Sequence, residues 1–474
     1  MQSDEGKANE NLWNALWGYV LGTDATGETD ELKDNEEDDN DSESSHVLAT
    51  AIKDVSNVTL SLWDNVSGPR FEKLWISPLD KSTPEDRMYA SRYTLGSELV
   101  SDGAHMEMKF QVVPERKYFS HSRLFRAQYR GALTLFALSV AFPLASLPHY
   151  LRLHHIIQDR VKHLVIMYMY LLRKTNEEKA LEVFDAHVPI FMKEVDNLFA
   201  AGPQPAQFHK TIFQQQASNK TDLAFLAKAV TSHLQTHGST VVIGNDVQSL
   251  ESYLESLSFF LVWDEKKRAC TRVDRGRGYI PDLLLQGIIA DSIPDEEIIK
   301  SMLPTTLVDL NNMTVKQTHP YHEYSVLRRE YLKRRNHELV VSGYPVPGNF
   351  WNAAELFRPV KKGSLSIENI MHGIYKLPIH LREGYIHQSM RLLNRRALLL
   401  IKYVEALLKA STEDRVDVLD PNAVKKIRQD LGLTETCFTV LLGIAEKLQP
   451  GIYVKLVGDP GMIEAKFIEL FENF

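Results

Sequence analysis

In "SLWDNVSGPR", residues 61–70, a tryptophan and an aspartate end an apolar run, a glycine and a proline turn the chain, and an arginine follows at once. A turn accounts for Asp64, Asn65, Gly68 and Pro69 but needs neither Trp63 nor Arg70. A large aromatic at a strand end can fill a core or meet a partner. Both uses stay open at this level.

Three other clusters could do chemistry. His233 and His237 lie four apart in a helical stretch, a spacing that can put two imidazoles on one face, but no glutamate or third ligand accompanies them, so a metal site is not expected. "THPYHEY" brings His319, His322 and Glu323 together around Pro320, which breaks helical geometry and makes a shaped loop entering the next helix. "LRREYLKRRNHE" places Arg328, Arg329, Lys333, Arg334 and Arg335 on one helix with Tyr331 and Leu332. Such a run is either a solvated helix face or a patch for acidic lipid head groups or an acidic partner. No Walker loop, nucleophile elbow or paired-cysteine motif occurs, and "RGRGY" (275–279) is too short for a dinucleotide fingerprint. No catalytic residue and no cofactor is therefore expected, which favours a regulator over a metabolic enzyme.

Composition narrows the class further. The chain has 474 residues and a net charge of −8, with 44% hydrophobic and 24% charged residues. Residues 1–45 hold fourteen acidic residues against Lys7 and Lys33, leaving 48 acidic and 52 basic residues elsewhere, a charge of +4. That weak excess argues against a dedicated nucleic-acid binder. Two distant cysteines, Cys270 and Cys437, fit a reducing compartment, and the acidic N-terminus does not read as a secretory signal. The uncharged stretch 131–148 is interrupted by Pro143 and Pro148, so it reads as a buried strand at 133–142 running into a helix.

Four segments follow. Residues 1–46 form an acidic tail expected to be disordered, with Trp13-x-x-Leu16 and Trp17-x-x-Val20 as either a short packing helix or a linear docking motif. Residues 47–215 read as strands and long helices: a hairpin at 57–63 and 70–76, strands at 106–113 and 132–142, and a helix entered at Ser146 and Pro148. Its apolar positions Leu153, Ile156, Ile157, Leu164 and Tyr168 recur at helical spacing. Residues 221–345 alternate helices with the short apolar runs "TVVIG", "FFLVW" and "TTLVDL", the pattern of a mostly parallel sheet, with Gly238 as a helix end and Asn245–Gln248 as a capping box. Residues 365–474 are helical, and "RRALLLIKYVEALL" with "FTVLLGIAEKL" offers more apolar surface than a small module buries alone, so about 380–474 is expected to carry a partner interface.

Five blocks, "SLWDNVSGPR", "SHLQTHGSTVVIG" (232–244), "MTVKQTHPYHEY" (313–324), "ALLLIKYVE" (397–405) and "AEKLQPGIYVKLVGDP" (445–460), resemble in order those of one family. It is the DENN-domain family of the chromosome nine open reading frame seventy-two type, and the resemblance covers the chain from about residue 50 onward. Residues 1–46, 345–365 and 409–422 match it poorly. The resemblance implies a mixed α/β, DENN-type fold: a longin-like module, a central α/β module and a helical C-terminal module. It implies a regulator of Rab- or Arf-type small GTPases, as a guanine-nucleotide exchange factor or as a subunit of a GTPase-activating complex, in endosomal trafficking, autophagy and lysosome homeostasis. The alternative is a non-catalytic scaffold that stabilises and recruits a partner. The partners implied are a second DENN protein of the Smith–Magenis region candidate type and a WD-repeat protein, with a cytoplasmic location, recruitment to endosomes, lysosomes or autophagosomes, and the nucleus as a further site. On this reading Trp63 and Asp64 are candidate GTPase contacts and Arg70 fixes the hairpin by an ion pair.

Overall fold

A computed structural model describes residues 45–48, 52–96, 106–202, 206–214, 220–273, 275–276, 278–319, 321–342, 356–410, 419 and 421–457. The acidic run, the Trp13 and Trp17 motifs and most of the segments 345–365 and 409–422 lie outside the described residues. The chain divides into two compact units, Met1–Asp196 and Asn197–Phe474.

In the first unit β1 (Ser45–Val47), β2 (Asn57–Asp64), β3 (Gly68–Ile76), β4 (Met106–Val113), β5 (Tyr118–Tyr129) and β6 (Ala132–Pro143) form a six-stranded sheet, ordered β1-β3-β2-β6-β5-β4. Only β1 and β3 pair in parallel. The expected hairpin and the strands at 106–113 and 132–142 are all present. Strand β5 was not foreseen, although Phe119, His121, Arg123 and Phe125 alternate with Ser120, Ser122 and Leu124 along it.

The two faces of this sheet differ in chemistry. One carries Leu60, Phe119, Phe125, Phe136 and Phe142, all buried under α2 (Leu147–Lys174) and α3 (Glu177–Ala200). The α2 rings reach into it, with Tyr150 5.1 Å from Phe119 and Tyr168 6.1 Å from Phe136. Leu153, Ile156, Ile157, Leu164 and Tyr168 line the buried side of α2, as their spacing predicts. The opposite face carries Asn57, Thr59, Ser61, Ser120, Ser122 and Ser139, short polar residues that are nevertheless buried. Helix α1 (Pro84–Gly96) covers part of it, with Leu95 against Leu124, Leu135 and Ala137. Ser146 stands at the N-cap of α2 but makes no side-chain cap bond, because its hydroxyl donates to Asp54 Oδ1 at 2.8 Å; Pro148 lies in the first turn, as expected.

In the second unit β7 (Thr240–Gly244), β8 (Leu285–Ile289), β9 (Thr306–Asp309), β10 (Thr314–Thr318) and β11 (Phe357–Pro359) form a sheet ordered β11-β10-β9-β7-β8. Strand β7 runs parallel to β8 and β9, and β10 and β11 add an antiparallel edge. Helices α4 (Lys220–Gln235), α5 (Val247–Ser258), α6 (Trp263–Lys266), α7 (Asp295–Ile298) and α8 (Tyr321–Ser342) accompany the strands. Because β7 is covered on both faces, Val242 packs with Leu250 and Leu254 of α5 while Val241 and Ile243 pack with Tyr324 of α8.

Two local expectations need correction. "FFLVW" is no strand: the N–H groups of Phe260 and Leu261 bond back to Leu257 and Ser258 at 3.0 and 3.2 Å, a tight turn closing α5. A short apolar run reads alike in a buried strand and a buried turn, and here the helix end takes its hydrogen bonds. The cap of α5 is Asp246, not Asn245, its carboxylate accepting from Ser249 N at 2.8 Å. Gly238 does close α4 in left-handed geometry (φ +86°), donating to His233 O at 2.7 Å.

The remaining helices are α9 (Leu365–Lys376), α10 (Ile379–Ala410), α11 (Pro421–Asp430), α12 (Glu435–Leu448) and α13 (Ile452–Val457). They share one core with the second sheet, in which Leu400 of α10 and Leu441 of α12 join Val242 and Leu250. Helix α12 sits so close to α4 that a Cβ on Gly443 would lie 2.7 Å from Leu234 O. Helix α10 buries Leu393, Ala397, Leu400 and Val404 but leaves Leu392, Leu398 and Leu399 exposed. Among the described residues no helix is long and apolar enough to cross a membrane.

Candidate functional site

The hairpin tip is built by its aspartate. Asp64 Oδ1 accepts from Val66 N at 2.7 Å and Ser67 N at 2.9 Å, and Gly68 then returns the chain at φ +80°, a conformation that favours glycine. The Ser67 and Val66 amides hold the exposed Asp64 carboxyl below its ordinary value. Trp63, opposite Pro69, keeps 38% of its surface exposed, so it does not fill the core. Arg70 lies 3.8 Å from Glu72 on its own strand, and Glu72 accepts from the Tyr129 hydroxyl at 2.6 Å. Burial, and then this bond to Glu72, raises the Tyr129 pKa. The tip therefore presents an aromatic face and an ionised carboxylate on a turn whose backbone is tied down.

The five cations of α8 do not share one face. Arg328 and Arg335 stand two turns apart, flanking the buried Tyr331, whereas Lys333 and Arg334 are exposed elsewhere on the circumference. Arg328 donates to Lys300 O at 3.4 Å, and Arg329 keeps one buried nitrogen, Nη2, without a hydrogen bond. Burial raises the Tyr331 pKa, with the Arg335 charge opposing it. His319 pairs with Glu323 at 2.6 Å, and Glu323 also receives Arg358 at 3.1 Å, joining β10, α8 and β11.

His233 and His237 do not present two imidazoles on one helix face. Helix α4 ends at Gln235, and His237 is itself left-handed (φ 59°). His233 Nδ1 is 2.8 Å from Thr240 Oγ1, and His237 stacks on Tyr453 with centroids 6.4 Å apart. Burial first, and nearby Lys447 second, brings both imidazoles down to about 3. Lys447 pairs with Glu265 of α6 at 2.7 Å, a buried pair with no mark in local sequence. Among the described residues no group of three or more His, Cys, Asp or Glu side chains is arranged to hold a metal.

Two sheets with flanking helices and a helical C-terminal region define a mixed α/β protein. Residues 91–324 match the model of the C9orf72-like protein family. The chain is 25% identical over 448 residues, 85% of its length and 91% of the relative's, to the Homo sapiens protein called "Guanine nucleotide exchange factor C9orf72". The homologs of that protein from Rattus norvegicus and Mus musculus match at the same identity and coverage. The chain is a homologue of these C9orf72 proteins.

Proposed function

We propose that this chain regulates small GTPases of the Rab or Arf type, as an exchange factor or as a subunit of a GTPase-activating complex. The observation that carries the reading is an alignment spanning 85% of the chain with relatives called guanine nucleotide exchange factors. On this reading 47–215 is a longin-like module, 221–345 the central DENN module and 365–474 the helical DENN module. The chain works in the cytoplasm, is recruited to endosomes, lysosomes or autophagosomes, and also enters the nucleus. It acts with a second DENN protein of the Smith–Magenis region candidate type and a WD-repeat protein, in endosomal trafficking, autophagy and lysosome homeostasis.

Exchange requires no reacting side chain. A protein that binds the nucleotide-free GTPase more tightly than the GDP form lowers GDP affinity by the same coupling energy. Trp63 and Asp64 suit such a contact because the aromatic is exposed at 38% and the turn behind it is rigidly bonded. The test is release of fluorescent GDP, and GTP hydrolysis, across a Rab and Arf panel with and without the chain and its DENN partner. Acceleration that Trp63→Ala and Asp64→Lys weaken supports the reading; unchanged rates across the panel overturn it.

A scaffold reading draws on a different observation, the exposed Leu392, Leu398 and Leu399 of α10, which suit assembly with a partner. Variants that keep the complex intact separate the two. Loss of the GTPase effect with assembly preserved counts for the regulator, and a GTPase effect that follows assembly alone counts for the scaffold.

A further inference from the structure

The short-residue face of the first sheet is not filled. Register aligns Asn57 with Ala141 and Ser120, and Thr59 with Ser139 and Ser122. Side chains this short leave a cavity of about 930 Å³ between the strands and the start of α1, within the range of small-ligand sites. Ser120 lines this cavity at 1% exposure, and its hydroxyl is buried with no hydrogen-bond partner. A buried hydroxyl without a partner in the wall of a cavity lacks one hydrogen bond, which a polar ligand group reaching that wall would supply.

The charges around the cavity are unbalanced. Asp80 is satisfied by Arg87 at 3.5 Å, Asn57 Nδ2 at 3.0 Å and the Ser82 hydroxyl at 2.6 Å. Asp86 pairs with Arg116 and closes a reciprocal pair with Thr83 at the start of α1. That leaves Lys53, Lys81 and Lys117 on the cavity lining, exposed and without an ion pair among the described residues. The Thr59, Ser120 and Ser139 hydroxyls and the Asn57 amide, set in an otherwise largely apolar lining beneath three exposed ammonium groups, match one ligand chemistry. Hydroxyls pair with hydroxyls, and lysines bind phosphate as point charges.

We propose that this cavity binds a phosphorylated polyol, with the polyol hydroxyls on Ser120, Ser139 and Thr59 and the phosphates at Lys53, Lys81 and Lys117. Two sources share this chemistry, a soluble inositol phosphate and the headgroup of a phosphoinositide. The full chain is titrated calorimetrically with inositol trisphosphate and with inorganic phosphate, and floated with phosphatidylcholine vesicles with and without phosphatidylinositol bisphosphate. Inositol trisphosphate should bind, with inorganic phosphate at least about tenfold weaker because it leaves the hydroxyl wall unused. The pair Lys81→Glu and Lys117→Glu, both on exposed side chains, should weaken binding by at least about tenfold with melting temperature unchanged. Ser120→Ala, which removes the unpaired hydroxyl with little change of volume, should weaken it with no loss of melting temperature. Flotation with the bisphosphate vesicles assigns the headgroup; calorimetric binding without flotation assigns the soluble ligand. Absence of binding in both arms, equal affinity for inorganic phosphate, or affinity untouched by the lysine pair overturns the proposal.

Discussion

Trp63 and Trp75 stand on the two strands of one hairpin and point to opposite faces of the sheet. Trp63, opposite Pro69, lies on the side of the short polar residues, whereas Trp75, opposite Val58, is fully buried on the α2–α3 side. There its ring meets Phe184 edge-on at 5.6 Å, and its Nε1 donates to Asp185 at 2.6 Å. A bulge between Leu60 and Ser61 in the pairing of β2 with β3 separates the two fates. Strict alternation from Pro69 would put Trp75 on the same face as Trp63; one extra residue, Glu72, turns Lys73 and Trp75 over.

Trp75→Ala should therefore cost about 3–5 kcal/mol, from the cavity it leaves. Trp63→Ala should leave the urea midpoint near that of the unsubstituted chain, because the ring is already partly in water. Denaturation curves on the two variants check this, and equal losses would contradict the assignment of faces.

Asp64→Ala should loosen the turn without unfolding the sheet. Amide exchange at Val66 and Ser67 should quicken while β2 and β3 core amides keep their protection. Since the native pKa lies below the ordinary 3.8, the contribution of this carboxylate is present above that value and fades as pH falls through the lowered native one. The exchange difference between the variant and the unsubstituted chain should thus persist at pH 5 and narrow only in stronger acid.

Acid should destabilise the second unit through His233 and His237. Their native values of about 3 lie below the ordinary 6.5, so the unfolded chain binds protons that the folded one does not. Stability is full above pH 6.5 and falls as pH drops toward 3, by about 2 kcal/mol per histidine at pH 5. His237→Asn keeps a residue tolerant of left-handed geometry and should flatten the pH dependence of the urea midpoint. An unchanged slope would contradict this.

Truncation at residue 435 should unfold the second unit rather than merely remove an interface. Helix α12 buries Phe438, Val440, Leu441 and Ile444, and Gly443 brings it against the α4 backbone. Loss of partner binding on that truncation is then a folding effect. The informative variants are Leu398→Glu and Leu399→Glu on the exposed side of α10, which should keep the circular-dichroism spectrum and melting temperature while weakening co-purification of the partner. Full co-purification would remove α10 as the docking surface.

Periodicity was enough for the hairpin and for the buried side of α2, because an alternating or helical apolar repeat fixes which side is buried; "TVVIG" was legible only through its β-branched residues between Gly238 and Gly244. Two further features have local marks in the sequence: the alternation in β5, and Thr83 three residues before Asp86 as a helix start. The hairpin tip was legible as well, since Asp64 and Gly68 act within a few residues of one another. Other features depended on partners far away in the chain. Trp75 is buried because Asp185 and Phe184 come to it, and Lys447 is paired because Glu265 does. The polar alternation of Asn57, Thr59 and Ser61 reads as a solvated strand face, yet α1 and the neighbouring strands remove it from water. Local sequence sets which backbone conformation costs least; only the assembled neighbours decide which side chains lose water, and so which charges and hydroxyls are left to act.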